Sequence, residues 1–342
     1  MKPLLVLTAK ARHFDPIILT HWKEEGFEVI YLPYAGTREE YGNRLKHLAD
    51  PLELGEMYAI VAYGEAATVV LELAQKPIPK LCALVAYYPT HIPAPGVGFP
   101  SSINLTVHLT QAPSFVPKYR KYFYANAQPG FAETNLETHN KVAASLAWTR
   151  TLAALRKGFE IDVDLEKIWD KHLELEFATK DVDATMQTMV AEPYVNHIPT
   201  ITGGIGYKDL YRFYRDYFIP GNPPSTKMTP ISRTVGTDRI VDEMHMSFTH
   251  TCEMPWILPD VKPTNKFVEV ILVVVVCIRG TKLYNEHIYW DQASVLVQLG
   301  LLDPELVPKG MNAPRLPVAG SEAARKVLDE GAVKSNELIG SW

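Results

Sequence analysis

The sequence predicts two domains, an α/β unit with a parallel sheet followed by an α+β unit with a bent antiparallel sheet. Three observations predict this. The chain has 342 residues, more than one ordinary core organises. Its first half alternates short apolar runs with helical spacings, the pattern of a parallel sheet covered by helices on both faces. Its second half places helices first and then four long alternating stretches, as a sheet with one covered face does.

In the first half, Pro3 to Thr8 reads as a buried strand and Pro16 to Glu25 as a helix. Phe27 to Leu32, Tyr58 to Ala62, Leu81 to Tyr87 and Ile103 to Leu109 read as further strands. Arg38 to Leu48 and Ala66 to Ala74 are the helices between them, and His139 to Leu155 is a long amphipathic helix that closes the unit. Gly158 and a charge cluster within Arg156 to Asp164 mark the boundary, which gives domains 1–158 and 159–303 and an extension 304–342.

Composition narrows the function classes. The chain is 47% apolar and 21% charged, values of a soluble globular protein. A net charge of −5 without a basic block argues against nucleic acid or an anionic membrane as partner. The longest apolar run, Val268 to Ile278, is too short to span a bilayer. Cys82, Cys252 and Cys277 are odd in number and widely spaced, as reduced core cysteines are. With no secretory leader at the N-terminus, the expected compartment is the cytoplasm.

Ile60 to Ala67 is a strand, a tight turn and a helix start. Here the chain resembles the dienelactone hydrolase branch of the α/β-hydrolases, whose nucleophile sits on such a turn. Gly64 stands at the nucleophile position, Pro113 in the segment that resembles the acid's, and Gln128-Pro129 before Gly130-Phe131 where that family has its histidine. A nucleophile, its base and the orienting acid act as a unit. The resemblance over about residues 1–156 therefore implies a hydrolase-like scaffold without the chemistry. The competing expectation is a displaced residue, Glu65, Ser114 or His91, serving an ester or lactone hydrolase.

In the second half, Leu165 to Ala178 is an amphipathic helix with apolar positions at Leu165, Ile168, Trp169, Leu173, Leu175 and Phe177. Val182 to Met189 reads as a short helix, Glu192 to Pro199 as a turn, Thr202 to Gly206 as a loop and Lys208 to Tyr217 as a helix. Lys227 to Val235, Arg239 to Glu253, Lys266 to Arg279 and Lys282 to Asp291 are the sheet. Alternation puts Ile240, Asp242, Met244, Met246, Phe248 and His250 on one face of the second of these, the more apolar face and the better pocket wall. In the last strand it puts His287, Tyr289 and Asp291 on one face and Glu286, Ile288 and Trp290 on the other. Asp291 then has two readings, a buried carboxylate tuned for proton transfer or the N-cap of the helix after it.

Helices followed by such a sheet make a half-open cone, and the order resembles the SnoaL-like polyketide cyclases of the nuclear transport factor 2-like fold. Tyr194 to Pro199, Phe248 to Thr251 and Gly280 to Leu301 carry the resemblance. It implies a cofactor-independent cyclase or isomerase of a polyketide-like or other carbonyl compound, working in secondary metabolism as a cytoplasmic homodimer. It implies Asp291 as acid/base and His197 and His287 as the groups that bind a carbonyl or enolate oxygen. His250, Tyr194, Tyr289, Trp256, Met246 and Phe248 would contact substrate. The resemblance implies no cofactor, and no metal is expected, since His197, His245, His250 and His287 form no short ligand pair. A non-catalytic small-molecule binder is the remaining alternative.

Overall fold

The structure is a computed structural model that describes residues 2–94, 96–310 and 313–342. It divides into two compact units, Met1–Val163 and Asp164–Trp342. The dividing point falls beyond residue 158 because the closing helix runs on through Gly158 to Phe159 and ends only at Glu160, which adopts a left-handed conformation.

In the first unit the strands are β1 (Leu4–Thr8), β2 (Glu28–Tyr31), β3 (Tyr58–Tyr63), β4 (Leu81–Tyr87), β5 (Asn104–Leu109) and β6 (Arg120–Phe123). They form one parallel sheet in the order β2-β1-β3-β4-β5-β6. β6 has no apolar run, only Arg-Lys-Tyr-Phe at the sheet edge, which is why patterning does not find it. The helices are α1 (Pro16–Glu24), α2 (Arg38–Lys46), α3 (Gly64–Leu73) and α4 (Lys141–Phe159). Each face of the sheet has its own core. Trp22, Phe131 and Leu152 pack on one side, Tyr41, Leu45 and Val70 on the other. β3 and β4 are buried at every position, as central strands covered on both faces must be.

The second unit begins with α5 (Leu165–Leu173), a π-helical turn (Glu174–Thr179) and α6 (Val182–Gln187). Next come β7 (Met189–His197), β8 (Thr202–Ile205), α7 (Tyr207–Phe213) and a second π-helical turn (Tyr214–Phe218). The four long stretches are β9 (Lys227–Val235), β10 (Arg239–Thr249), β11 (Phe267–Arg279) and β12 (Lys282–Trp290), followed by α8 (Gln292–Leu299) and α9 (Glu322–Leu328).

The sheet order is β8-β7-β12-β11-β10-β9, with β7 and β12 parallel and the other pairs antiparallel. The sheet is therefore mixed and six-stranded, where the sequence predicts four antiparallel strands. Glu192 to His197 belong to β7 and Thr202 to Ile205 to β8, and only Ile198 and Pro199 of the expected turn segment form a turn. Pro193 hides β7 from a sequence reading. It lies where the β7–β12 register jumps between Met189 and Tyr194, and an irregularity is where a strand tolerates a residue without an N–H. Residues after 304 join this unit. Arg325 pairs with Glu269 of β11 at 2.6 Å, and Ser294 donates to the Gly320 carbonyl at 2.7 Å. Among the described residues no helix is long and apolar enough to cross a membrane.

Candidate active site

α5 starts from Asp164, whose side chain accepts from the Lys167 N–H at 3.0 Å. Helical spacing puts Trp169 and His172 on its inner face, both buried. The helix then widens into a π turn, a distortion often found at functional sites. This turn carries Glu176 inward below His172, so that a carboxylate is only 3% exposed. From the sheet, Glu286 of β12 points the same way and is equally buried.

The three groups meet. His172 Nε2 lies 2.9 Å from Glu176 Oε1 and 3.4 Å from Glu286 Oε1. Hydrogen-bond direction fixes the imidazole. The Thr188 hydroxyl donates to the Thr185 carbonyl at 2.6 Å, which spends its only proton. Thr188 Oγ1 must then accept from His172 Nδ1, also at 2.6 Å. The second nitrogen is left facing two carboxylates, and a bare lone pair there would repel both. Burial alone would lower the His172 pKa, but the charge and hydrogen bonds of Glu176 and Glu286 outweigh it and raise the pKa to about 10. Burial pushes the Glu286 carboxyl up, opposed by His172. Its Oε1 is held by His172 alone, and at 3.4 Å more loosely than Glu176 is at 2.9 Å. Burial, reinforced by the two glutamates, holds the Tyr214 phenol well above its ordinary range, so it stays protonated and pairs with Glu176.

Glu176 and Glu286 both line a cavity of about 40 Å³. Trp169, Tyr214, Phe218 and Trp256 surround it, with Met228, Met244 and Met246 on the sheet side. This is room for water but not for a ring, so a ligand must move side chains to enter. Trp256 closes the cavity from the loop after β10. Thr200 and Thr202 donate to its carbonyl at 2.8 and 2.9 Å, and its indole N–H donates to Asn222 at 3.3 Å. Beneath the floor, Asp242 accepts from the Trp169 indole at 2.7 Å and from Arg233 at 2.6 and 2.8 Å.

His197 lines the same cavity. Its register partner on β12 is Ile288, an inward residue. Its Nδ1 donates to the Thr202 carbonyl at 3.2 Å, which leaves Nε2 as an acceptor. Burial lowers its pKa to about 4, so the ring is neutral.

The other two expected catalytic residues are elsewhere. Alternation along β12 holds, but Glu286, Ile288 and Trp290 face inward. His287 and Tyr289 lie on the opposite face, where Tyr194 packs edge-on against His287 at 5.5 Å. Asp291 is exposed and caps α8, accepting from the Ala293 N–H at 3.0 Å. The cap is the reading of Asp291 that the geometry meets. Trp256 and Met246 line the cavity as expected, while Phe248 is buried outside its lining. His250 is buried too, but bonds to Thr264 at 3.2 Å away from the cavity wall. Arg233 of β9 is an ion-pair centre holding Asp242, Asp170 and Glu166.

His172, Glu176 and Glu286 are also the one group among the described residues whose donor atoms, within 4.8 Å of each other, could hold a metal ion. The imidazole already bridges the two carboxylates at ion-pair distance.

In the first unit, Gly64 follows β3 directly at φ +58° and opens α3, the geometry of a sharp strand-to-helix turn. A Cβ there would meet nothing within 4 Å, so the position is open and carries no side chain to attack with. Glu65 is paired with Lys10 at 2.9 Å, and His91 and Ser114 are exposed. No nucleophile is assembled at this turn among the described residues.

No family model matches the chain, and no curated protein sequence matches it. Solved structures similar to it are SnoaL-like and nuclear transport factor 2-like folds. TsrD from Streptomyces laurentii matches with 15% identity over 41% of this chain and 100% of its own, at a TM-score of 0.34. A protein described as a SnoaL-like polyketide cyclase from Jannaschia sp. CCS1 matches with 14% identity over 42% of this chain and 99% of its own, at 0.33. A protein of ketosteroid isomerase-like fold from Catenulispora acidiphila, in complex with trimethylamine, matches with 16% identity over 41% of this chain and 97% of its own, at 0.30. At these identities and scores the neighbours assign no reaction to this chain.

Proposed function

We propose that the second unit is a proton-transfer enzyme, a cyclase or isomerase of a small carbonyl compound that works without a cofactor. One observation carries this reading: a histidine clamped between two buried carboxylates that line a largely apolar cavity. Burial raises the Glu286 carboxyl toward the proton affinity that abstraction next to a carbonyl needs. Glu286 is the residue that takes and returns the proton, because burial raises its carboxyl and His172 holds it at 3.4 Å, more loosely than Glu176 at 2.9 Å. His172 stays positive and offsets the charge that remains on the cluster as the proton moves. His197 Nε2 accepts a hydrogen bond from substrate. Asp291 and His287 take no part, which replaces the roles that resemblance implies for them.

The test is deuterium wash-in. Enolisable ketones are incubated with the protein in heavy water and followed by proton NMR. Exchange above the buffer rate is expected for neutral ketones, lost in Glu286→Gln and kept in Asp291→Asn. Equal exchange by Glu286→Gln and the unmodified protein would sink the assignment. Failure of every ketone to exchange would favour a binding protein.

A further inference from the structure

The cavity wall has an unusual hydrogen-bond inventory. Every side-chain N–H and O–H on it is already committed to a protein acceptor. The Trp169 indole donates to Asp242 and the Trp256 indole to Asn222. The Tyr214 hydroxyl is paired with Glu176, and His197 Nδ1 with the Thr202 carbonyl. His172 lies behind the carboxylates with Nδ1–H on Thr188 and Nε2–H on Glu176. No lysine or arginine lines the space. What lines the space is therefore a set of acceptors: the carboxylates of Glu176 and Glu286, the second held only by the long 3.4 Å contact with His172, and His197 Nε2.

We infer that this cavity selects uncharged molecules that present a hydroxyl or enol beside their carbonyl, and that it rejects the free carboxylic acids of the same shape. The inference rests on the proposed site and names its substrate class. A hydroxyl entering here donates to carboxylate lone pairs that the protein leaves weakly satisfied, whereas an apolar ligand desolvates them without a partner. A carboxylate would meet two negative groups at low dielectric and find no donor. Glu286, when it carries a proton, is the single donor available, and it suits the carbonyl next to that hydroxyl. Met228, Met244 and Met246 give the wall the adaptability that a ring needs to enter, since methionine repacks readily.

Binding alone tests this, without turnover. The probes are meta-hydroxyacetophenone, acetophenone and meta-hydroxybenzoate, titrated into the full chain near neutral pH by ligand-observed NMR. The hydroxyketone is expected to bind about tenfold more tightly than the plain ketone, one well-made hydrogen bond's worth. The hydroxybenzoate is expected not to bind until Glu176→Gln and Glu286→Gln are combined, which removes both charges and supplies amide donors. Hydroxybenzoate binding to the unmodified protein as tightly as the hydroxyketone overturns the inference. So does binding of none of the three. Deuterium exchange without this selectivity leaves the proposed chemistry standing and removes the substrate class; selectivity without exchange does the reverse.

Discussion

Replacing His172 with glutamine removes the one cation between Glu176 and Glu286 and leaves two buried carboxylates facing each other. Exposed ion pairs contribute about 0–1 kcal/mol, but breaking a buried one costs about 3–5 kcal/mol because the partner stays charged and unpaired. All three groups here are nearly inaccessible, so the larger figure applies. For a unit of this size each kcal/mol moves the melting temperature by about 2–4 °C, so a fall of about 6–20 °C is expected. The two units need not unfold together, so calorimetry is paired with peptide-level hydrogen exchange over β12. The pH dependence has a fixed sign. The folded pKa of His172, about 10, lies above its unfolded value, so its stabilisation is complete below about 6.5 and is lost as pH rises through about 10. Raised Glu286 acts in the same direction, since the folded state holds its proton longer. The unmodified protein should therefore lose stability in this unit toward alkaline pH. The difference from the variant should shrink there, and also in acid as the carboxylates protonate. A variant that melts within about 2 °C of the unmodified protein at neutral pH would refute the buried-cluster reading.

Further outcomes follow from other residues. Asp291→Ala should cost about 1 kcal/mol by removing the α8 cap, read by melting temperature, with ketone exchange unchanged. Arg233→Ala should cost about 3–5 kcal/mol by stranding Asp242, and Arg233→Lys should recover only part of it because the two-pronged contact is lost; urea denaturation separates the two. In the first unit, burial and the neighbouring Arg150 lower the His108 pKa to about 3. The unfolded chain therefore binds that proton first, and the unit should lose stability as pH falls from about 6.5 toward about 3, measured by acid titration of β5 hydrogen exchange.

Much of the fold is legible because alternation survives in the long strands. β10 buries Ile240, Asp242, Met244, Met246 and Phe248, the face whose apolar content marks it as the wall. β12 alternates just as clearly, yet its two faces differ by a smaller margin. Ile288 and Trp290 mark the inward side, but Glu286 sits among them as a charge that a core stripe should not contain. That misfit is the site's signal. The same signal recurs on α5, where His172 follows buried Trp169 at helical spacing and Glu176 follows His172 one turn on. Each residue alone reads as the polar border of an apolar stripe, because lone charges there are ordinarily solvated. Only the sheet, by bringing β12 to the helix, turns three misfits into one buried cluster. Asp291 misleads for the opposite reason. A carboxylate just before a helix satisfies a local rule completely, and a residue whose local role is complete has no need of a distant one. Buried charges that break the pattern of their own element are thus the stronger pointers to chemistry, since folding keeps them only where a partner from elsewhere compensates them.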